Sequence, residues 1–206
     1  GYFLGAVPFG YLIGRLHGVT ILEEGSGNIG ATNLARVLKQ HNVPWPWVWG
    51  TLGLLLDASK GFLPVWFYQR TEPLQLWVIY VAVATVLGHL WTPFLGFRGG
   101  RGVATSLGVI LALHWPIALI SWAVAQATKL AFFRHNSERT AISSIVGIWF
   151  AAFAFIVIAI KAGTRSMPID HVMISYSLAV LVTLKHRDNF ARIKQEVNLV
   201  QLRGDS

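Results

Sequence analysis

The sequence contains no cysteine, so disulfide bonds and thiolate metal sites are excluded, and the redox compartment is left undetermined. Charged residues are also scarce: they make up 13% of the 206 residues, whereas soluble domains carry roughly 25%. Apolar residues account for 54%, and the mean hydropathy is +0.53. This composition indicates an integral membrane protein, and the length favours a single domain over residues 1–206.

Acidic residues are the scarcer of the two charge types. There are 9 Asp and Glu against 17 Lys and Arg, which gives a net charge of +8. In a soluble protein this excess would suggest a nucleic-acid partner. In a membrane protein it can instead reflect Lys and Arg in cytoplasmic loops, so the positions of the cations decide between the two.

Apolar stretches fill most of the chain, and they predict an all-α integral membrane protein of about seven transmembrane helices with short polar loops. Helices are favoured over strands because a helix satisfies its own backbone hydrogen bonds within lipid. The fourth stretch is short and predicts a re-entrant or tilted helix with a hinge at Pro116, so five or six spans are also compatible. The seven stretches are residues 1–16, 45–68, 73–90, 103–113, 116–133, 141–160 and 169–184.

The first stretch begins inside an apolar run at Gly1, which is not a methionine. Fewer than ~17 residues precede Arg15, which is short for a span. We therefore expect a few residues to precede Gly1 in the full protein. A signal peptide is the competing interpretation, but there is no basic n-region and no small-residue cleavage pattern.

Seven crossings divide the loop cations into two unequal sets. One side holds only Arg70, Lys161 and Arg165. Since Lys and Arg concentrate in cytoplasmic loops, the larger set marks the cytoplasmic side, and it explains the net charge without nucleic acid. That larger set is Arg15, Arg36, Lys39, Arg98, Arg101, Arg134, Arg139, Lys185, Arg187, Arg192, Lys194 and Arg203.

The first polar cluster on the predicted cytoplasmic side is GSGNIGATNLAR, residues 25–36. Its glycines allow backbone N–H groups to converge on an anion, and Arg36 can add a bidentate charge. The alternative is an ordinary turn followed by a helix that starts near Asn28. Its candidate binding residues are Ser26, Gly27, Asn28, Thr32, Asn33 and Arg36.

The second cluster is GFRGGRGVATSLG, residues 96–108, preceded by His89. The loop leads into a predicted helix whose N-terminus exposes unpaired N–H groups and a positive dipole end, which suits phosphate. Arg98 and Arg101 add full charges. A loop whose arginines only fix topology is the alternative, but topology does not require so many glycines. The spacing fits neither a Walker A loop nor a dinucleotide fingerprint.

The third cluster is KHRDNFAR, residues 185–192, in which His186 and Asn189 could share a helical face. Basic residues that only flank the membrane are the alternative. Two further polar features lie in predicted spans. Asp57 and Lys60 are functional candidates or an intrahelical ion pair, and Ser143 and Ser144 are candidates or helix-capping residues.

The three clusters share one predicted face of the membrane. Their glycines, amides and arginines predict binding of a phosphate-type anion at the cytoplasmic surface. A site at the level of the bilayer also gives acyl chains direct access, so we expect the substrate to contain a lipid part.

Four motifs, in order along the chain, carry a resemblance to a known family. GSGNIGATN, DASKG (residues 57–61), GHLWTPFLGFRGGRGVATSLG and KHRDN resemble the bacterial acyl-phosphate:glycerol-3-phosphate acyltransferases, the PlsY family. The resemblance implies a seven-helix bacterial inner-membrane enzyme, active as a monomer, with its active site facing the cytoplasm. It implies transfer of a fatty acyl group from acyl phosphate to the sn-1 hydroxyl of glycerol 3-phosphate, with lysophosphatidate and inorganic phosphate as products. It implies no metal and no cofactor.

The resemblance also assigns roles residue by residue. By motif match it places Ser26, Gly27, Asn28, Asn33 and Arg36 in the first functional loop, His89, Gly99, Gly100, Arg101 and Gly102 in the second, and His186 and Asn189 in the last. Within these motifs we predict catalytic roles for Arg101, His186 and Asn33 and substrate binding by the others. We add Thr32, Lys60, Arg98, Ser144 and Arg187 as further predicted substrate-binding residues.

The sequence departs from the family pattern at three positions. Arg101 replaces a lysine, and Arg98 stands where lysine is common, so charge is kept but a planar fork replaces a compact ammonium. An ungapped match puts Ala141 at the position of a substrate-contacting serine, for which Ser143 or Ser144 could compensate. A one-residue shift, which would align Arg139 with the family's basic residue, is the alternative.

The expected mechanism is positioning of two phosphates together with electrostatic stabilisation, without an acyl-enzyme, because no Ser-His-Asp arrangement is apparent. The proton acceptor can be His186, His89 or the leaving phosphate. Two alternative functions are a membrane transporter of organophosphate or other anions, and a relative that binds lipid phosphate without turnover. The clustering of polar motifs on one face favours the enzyme.

Overall fold

The structure is a computed structural model that describes residues 1–71, 75–132, 140–162, 169–187 and 189–190. Every regular element in these ranges is a helix, as the sequence predicted. The helices are α1 (Tyr2–Ala6), α2 (Phe9–Leu16), α3 (Ala31–Gln40), α4 (Pro46–Thr71), α5 (Gln75–Leu90), a 3₁₀ turn (Pro93–Leu95), α6 (Val103–Leu113), α7 (Trp115–Phe132), α8 (Thr140–Ala162) and α9 (Ile169–Lys185).

The first predicted span is two helices rather than one. α1 ends at Ala6, and the backbone at Val7 is extended (φ −57°, ψ 116°). The residue before a proline is forced out of the helical region, so Pro8 explains the break. This break leaves the Val7 carbonyl available to a side chain from another helix.

α3 is a helix that the count of apolar stretches missed, because only one of its faces is apolar. Leu34, Val37 and Leu38 are buried, whereas Thr32 and Lys39 are exposed. A helix starting near Asn28 was the alternative interpretation of this segment, and the helix begins at Ala31 instead. The buried face packs into a small apolar core with Ile13, Val19, Ile21 and Ile29, which anchors the loop between α2 and α3.

α6 matches the short fourth stretch. Its 11 residues give a length of about 16 Å, roughly half of a bilayer core. It ends at Leu113, His114 is extended (φ −161°, ψ 93°), and α7 follows at Trp115, so the predicted hinge is confirmed. α6 also lies very close to α4: a side chain at Gly108 would collide with the Ala58 carbonyl, as expected where small residues let helices approach.

Two stretches of the described chain are long and apolar enough to cross a membrane, Leu76–Leu95 and Ile142–Lys161. Other helices also expose large apolar side chains, among them Leu55 on α4 and Trp122 on α7. An outer surface of this kind suits lipid contact. The cations at Arg134, Arg139, Arg165, Arg192, Lys194 and Arg203 lie outside the described residues, so the sidedness assigned from the sequence stays a prediction.

Candidate active site

A cavity of about 390 Å³ brings the three polar clusters together at one end of the bundle. It lies where the α2–α3 loop, the α5–α6 loop and the end of α9 meet. We call the first two segments loop 1 (residues 19–30) and loop 2 (residues 96–102). The lining residues are Leu22, Ser26, Gly27, Asn28, Phe97, Arg98, Gly99, Gly100, Arg101, Lys185 and Asn189.

Loop 1 is held by the side-chain amide of Asn33, at the start of α3. Its Oδ1 accepts a hydrogen bond from the Ser26 N–H (2.8 Å). Its Nδ2 faces three backbone carbonyls, those of Asn28 (3.0 Å), Glu24 (3.1 Å) and Ile21 (3.2 Å). One buried amide therefore fixes the loop from both sides, and the residues that it holds include two that line the cavity.

Two glycines make this arrangement possible. Gly25 and Gly27 both have left-handed backbone angles (φ +62° and +66°). A side chain on Gly25 would also overlap the Oδ1 atom of Asn33. Glycine at positions 25 and 27 therefore allows the loop to fold over the Asn33 amide.

Loop 2 lies directly against the C-terminal end of α5. The Gly100 N–H donates a hydrogen bond to the His89 carbonyl (3.0 Å). A Cβ atom on Gly99 would overlap the backbone carbonyls of His89 and Leu90, and one on Gly100 would overlap the His89 ring. Gly99 is thus required by the close approach of two backbone segments, and Gly100 by the His89 ring that packs against it.

Loop 2 leads into α6 at Gly102, which is left-handed (φ +82°) and precedes the helix. The first turn of α6 therefore follows immediately after the cavity-lining residue Arg101. Unpaired N–H groups and the positive end of the helix dipole are placed beside an arginine, as the sequence predicted. Such a combination favours an anion.

The third wall comes from the segment after α9. His186 is buried, and its Nδ1 lies 2.7 Å from the Val182 carbonyl. That nitrogen must carry the proton, which leaves Nε2 as the acceptor. Burial lowers the pKa of His186 to about 4; the hydrogen bond to the Val182 carbonyl opposes this shift, and the nearby charge of Arg101 adds to it. His186 is therefore neutral at pH 7.

Three cations lie around the cavity: Arg98, Arg101 and Lys185. The Lys185 ammonium also lies over the Trp91 ring, 5.0 Å from its centroid. Cations and glycine-loop N–H groups from separate segments can together hold more than one phosphate oxygen. Within the described ranges, no three His, Asp or Glu side chains converge in a way that could hold a metal ion.

Eight of the predicted site residues line the cavity: Ser26, Gly27, Asn28, Arg98, Gly99, Gly100, Arg101 and Asn189. Others support the walls from behind, namely Asn33, His89, Gly102 and His186. A third group lies away from the lining: Thr32 is exposed, while Arg36 and Ser144 are half-buried and Arg187 is exposed. The side chain of Ala141 lies outside the described residues, so its departure from the family pattern is untested.

Lys60, a predicted substrate-binding residue, is not among the residues that line the cavity. Its ammonium forms a buried ion pair with Asp57 (2.9 Å) and donates to the Val7 carbonyl (2.8 Å). An intrahelical ion pair was the alternative interpretation of these residues, and the contact with the α1–α2 break extends it to a second helix.

Sequence reasoning missed three lining residues. Lys185 begins the quoted third cluster, and Phe97 lies inside the second, so their positions next to predicted residues were an available signal. Leu22 directly follows the buried Ile21 in loop 1, and nothing in its local pattern distinguishes a cavity wall from the apolar core behind it.

A family model described as glycerol-3-phosphate acyltransferase matches residues 1–196. A glycerol-3-phosphate acyltransferase of Thermotoga petrophila is 36% identical, over 97% of this chain and 94% of the relative. One of Aquifex aeolicus is 34% identical, over 93% of this chain and 91% of the relative.

Two solved structures are similar in fold as well as in sequence. Both are crystal structures of PlsY, described as an integral membrane glycerol 3-phosphate acyltransferase. The glycerol 3-phosphate form gives a TM-score of 0.79 at 33% identity, over 95% of this chain and 88% of that chain. The lysophosphatidic acid form gives 0.76 at 32% identity, with the same coverage. These matches confirm the prediction of an all-α integral membrane protein, and the chain belongs to the glycerol-3-phosphate acyltransferase family.

Proposed function

We propose that this protein transfers a fatty acyl group from an acyl phosphate to the sn-1 hydroxyl of glycerol 3-phosphate, giving lysophosphatidate and inorganic phosphate. The observation that carries the proposal is a single cavity in which cations and glycine-loop amides from three segments converge. Both proposed substrates carry a phosphate, so a site with several anion-binding elements suits them as a pair. The names of the relatives support glycerol 3-phosphate as the acceptor.

The reaction needs little covalent chemistry from the protein. The sn-1 hydroxyl oxygen attacks the acyl carbonyl carbon, a new ester bond forms, and the bond between that carbon and the phosphate oxygen breaks. The bonding electrons leave with the phosphate. Holding two reactants in alignment can supply roughly 7–11 kcal/mol in ideal cases, which makes positioning the main task of the cavity.

The lining residues divide this task in our proposal. Arg98, Arg101 and Lys185 offset the charges of two phosphates that would otherwise repel each other. The Gly100 N–H is already donated to the His89 carbonyl, so the Gly99 N–H and the N–H groups at the start of α6 stabilise the negative charge that develops on the carbonyl oxygen. The polar groups of loop 1 and Asn189 orient the acceptor.

The leaving phosphate takes the proton of the attacking hydroxyl in this scheme. His186 has an unprotonated Nε2 at neutral pH, but its side chain is buried and lies behind the lining. Its carbonyl accepts the Asn189 N–H (2.9 Å). His186 therefore acts by placing Asn189, and the phosphate is the nearer base for a hydroxyl inside the cavity.

The protein is proposed to be a multi-pass, monomeric component of the bacterial inner membrane with its cavity facing the cytoplasm. The support is the bias of cations toward the cavity end, where Arg98, Arg101 and Lys185 lie. Arg70 and Lys161 end α4 and α8 at the opposite side. Of the lining residues only Leu22 and Phe97 are large and apolar, so the acyl chain leaves the cavity past these two.

The test uses purified protein in detergent or in a lipid mesophase. Palmitoyl phosphate and glycerol 3-phosphate are supplied together, and phosphate release and lysophosphatidate formation are followed in parallel. We expect stoichiometric release of both products only when both substrates are present.

Three controls separate the outcomes. Omission of glycerol 3-phosphate reports hydrolysis of the donor, and palmitoyl coenzyme A in place of the acyl phosphate tests the donor class. Uptake of labelled glycerol 3-phosphate into vesicles tests transport. A folded protein that releases no phosphate with palmitoyl phosphate, or that uses only the thioester, would disprove the proposed donor.

A further inference from the structure

Asp57, Lys60 and His89 form a buried cluster of charged and titratable side chains below loop 2. The ion pair between Asp57 and Lys60 is almost fully buried, with side chains 4% and 1% exposed. The Nδ1 atom of His89 lies 3.7 Å from the same carboxylate oxygen. Buried ion pairs are often no more stabilising than apolar residues of the same volume, so stability alone does not account for this cluster.

The cluster contacts the break between α1 and α2. The Lys60 ammonium donates to the Val7 carbonyl (2.8 Å), which also accepts the Phe9 N–H (3.1 Å) at the break. The end of α5 contacts the same region, because the Thr92 hydroxyl donates to the Ala6 carbonyl (2.7 Å). α4 and the chain just after α5 are therefore both tied to one short stretch, residues 6–7.

His89 connects the cluster to loop 2. Its Nδ1 faces Asp57 and has no hydrogen-bond partner within the part of the chain that the structure describes. Its Nε2 lies where a side chain of Gly100 would stand, and its carbonyl accepts the Gly100 N–H (3.0 Å). One residue thus supports the loop with both its ring and its backbone.

We propose that Asp57, Lys60 and His89 are positioning residues that set the place of Gly100, and through it the place of Arg101 in the cavity. Arg101 directly follows Gly100, so a displacement of the His89 ring moves the arginine with the loop. The inference rests on the proposed function for its effect on turnover, but its structural consequence can be measured without any substrate.

The first variant is Asp57→Asn/Lys60→Met, which removes both charges at nearly constant volume and leaves no buried ion unpaired. The second is His89→Gln, which removes the ring and keeps the ion pair. Because the chain has no cysteine, Phe94→Cys provides a single site for a nitroxide label. Phe94 is exposed in the 3₁₀ turn beside loop 2 and does not line the cavity.

We expect kcat to fall by about tenfold or more in each variant, since small displacements of aligned groups are costly. The label should become more mobile, while the apparent unfolding temperature of the double variant stays near that of wild type. Ser121→Ala, which removes a buried hydroxyl from α7, serves as the matched control and should change neither readout.

The inference is overturned if either variant, once shown to be folded, retains kcat and the label line shape of the wild type. If the wild type itself turns over no acyl phosphate, the proposed function fails instead. In that case the line shape alone decides the inference, and an unchanged line shape in both variants disproves it.

Discussion

The two glycine-rich loops that line the cavity are held in place by opposite means. Loop 1 depends on the presence of a side chain, because the Asn33 amide contacts the backbone of four of its residues. Loop 2 depends on the absence of side chains, because Gly99 and Gly100 leave no room between the loop and the end of α5. Glycine therefore allows a left-handed turn in loop 1, whereas in loop 2 it allows the backbone to lie close against the end of α5.

The loops also differ in charge. Loop 1 contributes only neutral groups to the lining, from Leu22, Ser26, Gly27 and Asn28, whereas loop 2 contributes Arg98 and Arg101. In our proposal, loop 1 orients a substrate and loop 2 stabilises charge that develops in the transition state. Substitutions in loop 2 should therefore reduce kcat, and those in loop 1 should mainly raise KM.

Arg101→Ala should have the largest effect. It removes a full charge from the wall that, in our proposal, faces the reacting phosphate, and loss of one such group typically lowers kcat by about 10²–10³-fold. Turnover of palmitoyl phosphate measures the effect, and Arg70→Ala, at the far end of α4, is the matched control. Ser26→Ala in loop 1 should change kcat only a few-fold. An equal loss of kcat in both loops would remove the distinction between them.

Gly99→Ala should have the next largest effect, because its Cβ would overlap two backbone carbonyls that cannot move aside. We expect about a 100-fold loss of kcat from the resulting displacement of the loop. Gly96→Ala is the control in the same loop: it has φ +60° but no atom within 4 Å of the added Cβ. It should cost only about 1–2 kcal/mol of backbone strain. Similar losses of kcat in Gly99→Ala and Gly96→Ala would show that the loop needs glycine for its backbone conformation and not for its close approach to α5.

Much of this architecture was predictable from local patterns. The apolar runs predicted α4 to α9 closely, and 103–113 coincides with α6, because a buried helix is apolar along most of its length. Pro116 indicated the hinge correctly. The break at Pro8 was also visible as a proline within an apolar run, but the predicted span 1–16 passed over it. α3 was missed because a helix that buries one face has too little apolar content to be counted as a span.

The sequence indicated which segments meet at the candidate site, but it indicated less well which of their residues line the cavity and which support the lining. The three clusters were identified from residue type, and all three line the cavity. Composition cannot distinguish a lining residue from one that supports the lining, since that depends on which face of a helix packs inward. Asn33 and Lys60 show the limit: both are polar residues in functional motifs, yet their side chains bind backbone carbonyls instead of facing the cavity.

Asn33→Leu should have a smaller effect than either loop 2 substitution. It would leave the Ser26 N–H and the carbonyls of loop 1 without their hydrogen-bond partner. Leaving a buried polar group unpaired costs about 1–3 kcal/mol of free energy. A loss of that size in binding raises KM for glycerol 3-phosphate by roughly 5–150-fold. Asn33→Asp keeps the acceptor for Ser26 but sets a second carboxylate oxygen against three backbone carbonyls, so its KM should be at least as high as that of Asn33→Leu. A loss of kcat with unchanged KM would instead indicate that Asn33 contacts the reacting atoms.

His186→Gln should have the smallest effect on turnover at neutral pH, since His186 lies behind the wall that loops 1 and 2 share with the end of α9. Its clearest signature is the pH dependence of stability. The folded pKa is about 4, against roughly 6.5 in the unfolded chain. As the pH falls from 6.5 to 4 the unfolded chain binds a proton that the folded one does not, so wild type loses up to roughly 3 kcal/mol and loses no more below pH 4.

Tryptophan fluorescence during thermal unfolding in detergent measures this dependence across pH 4–7. The His186→Gln variant should show a shallower decline of the unfolding temperature between pH 6.5 and 4, and it should match the slope of wild type above pH 7. Equal slopes throughout would mean that His186 is accessible to solvent and ordinarily basic. The wall behind loops 1 and 2 would then be open to water, and His186 would again compete with the leaving phosphate as the proton acceptor.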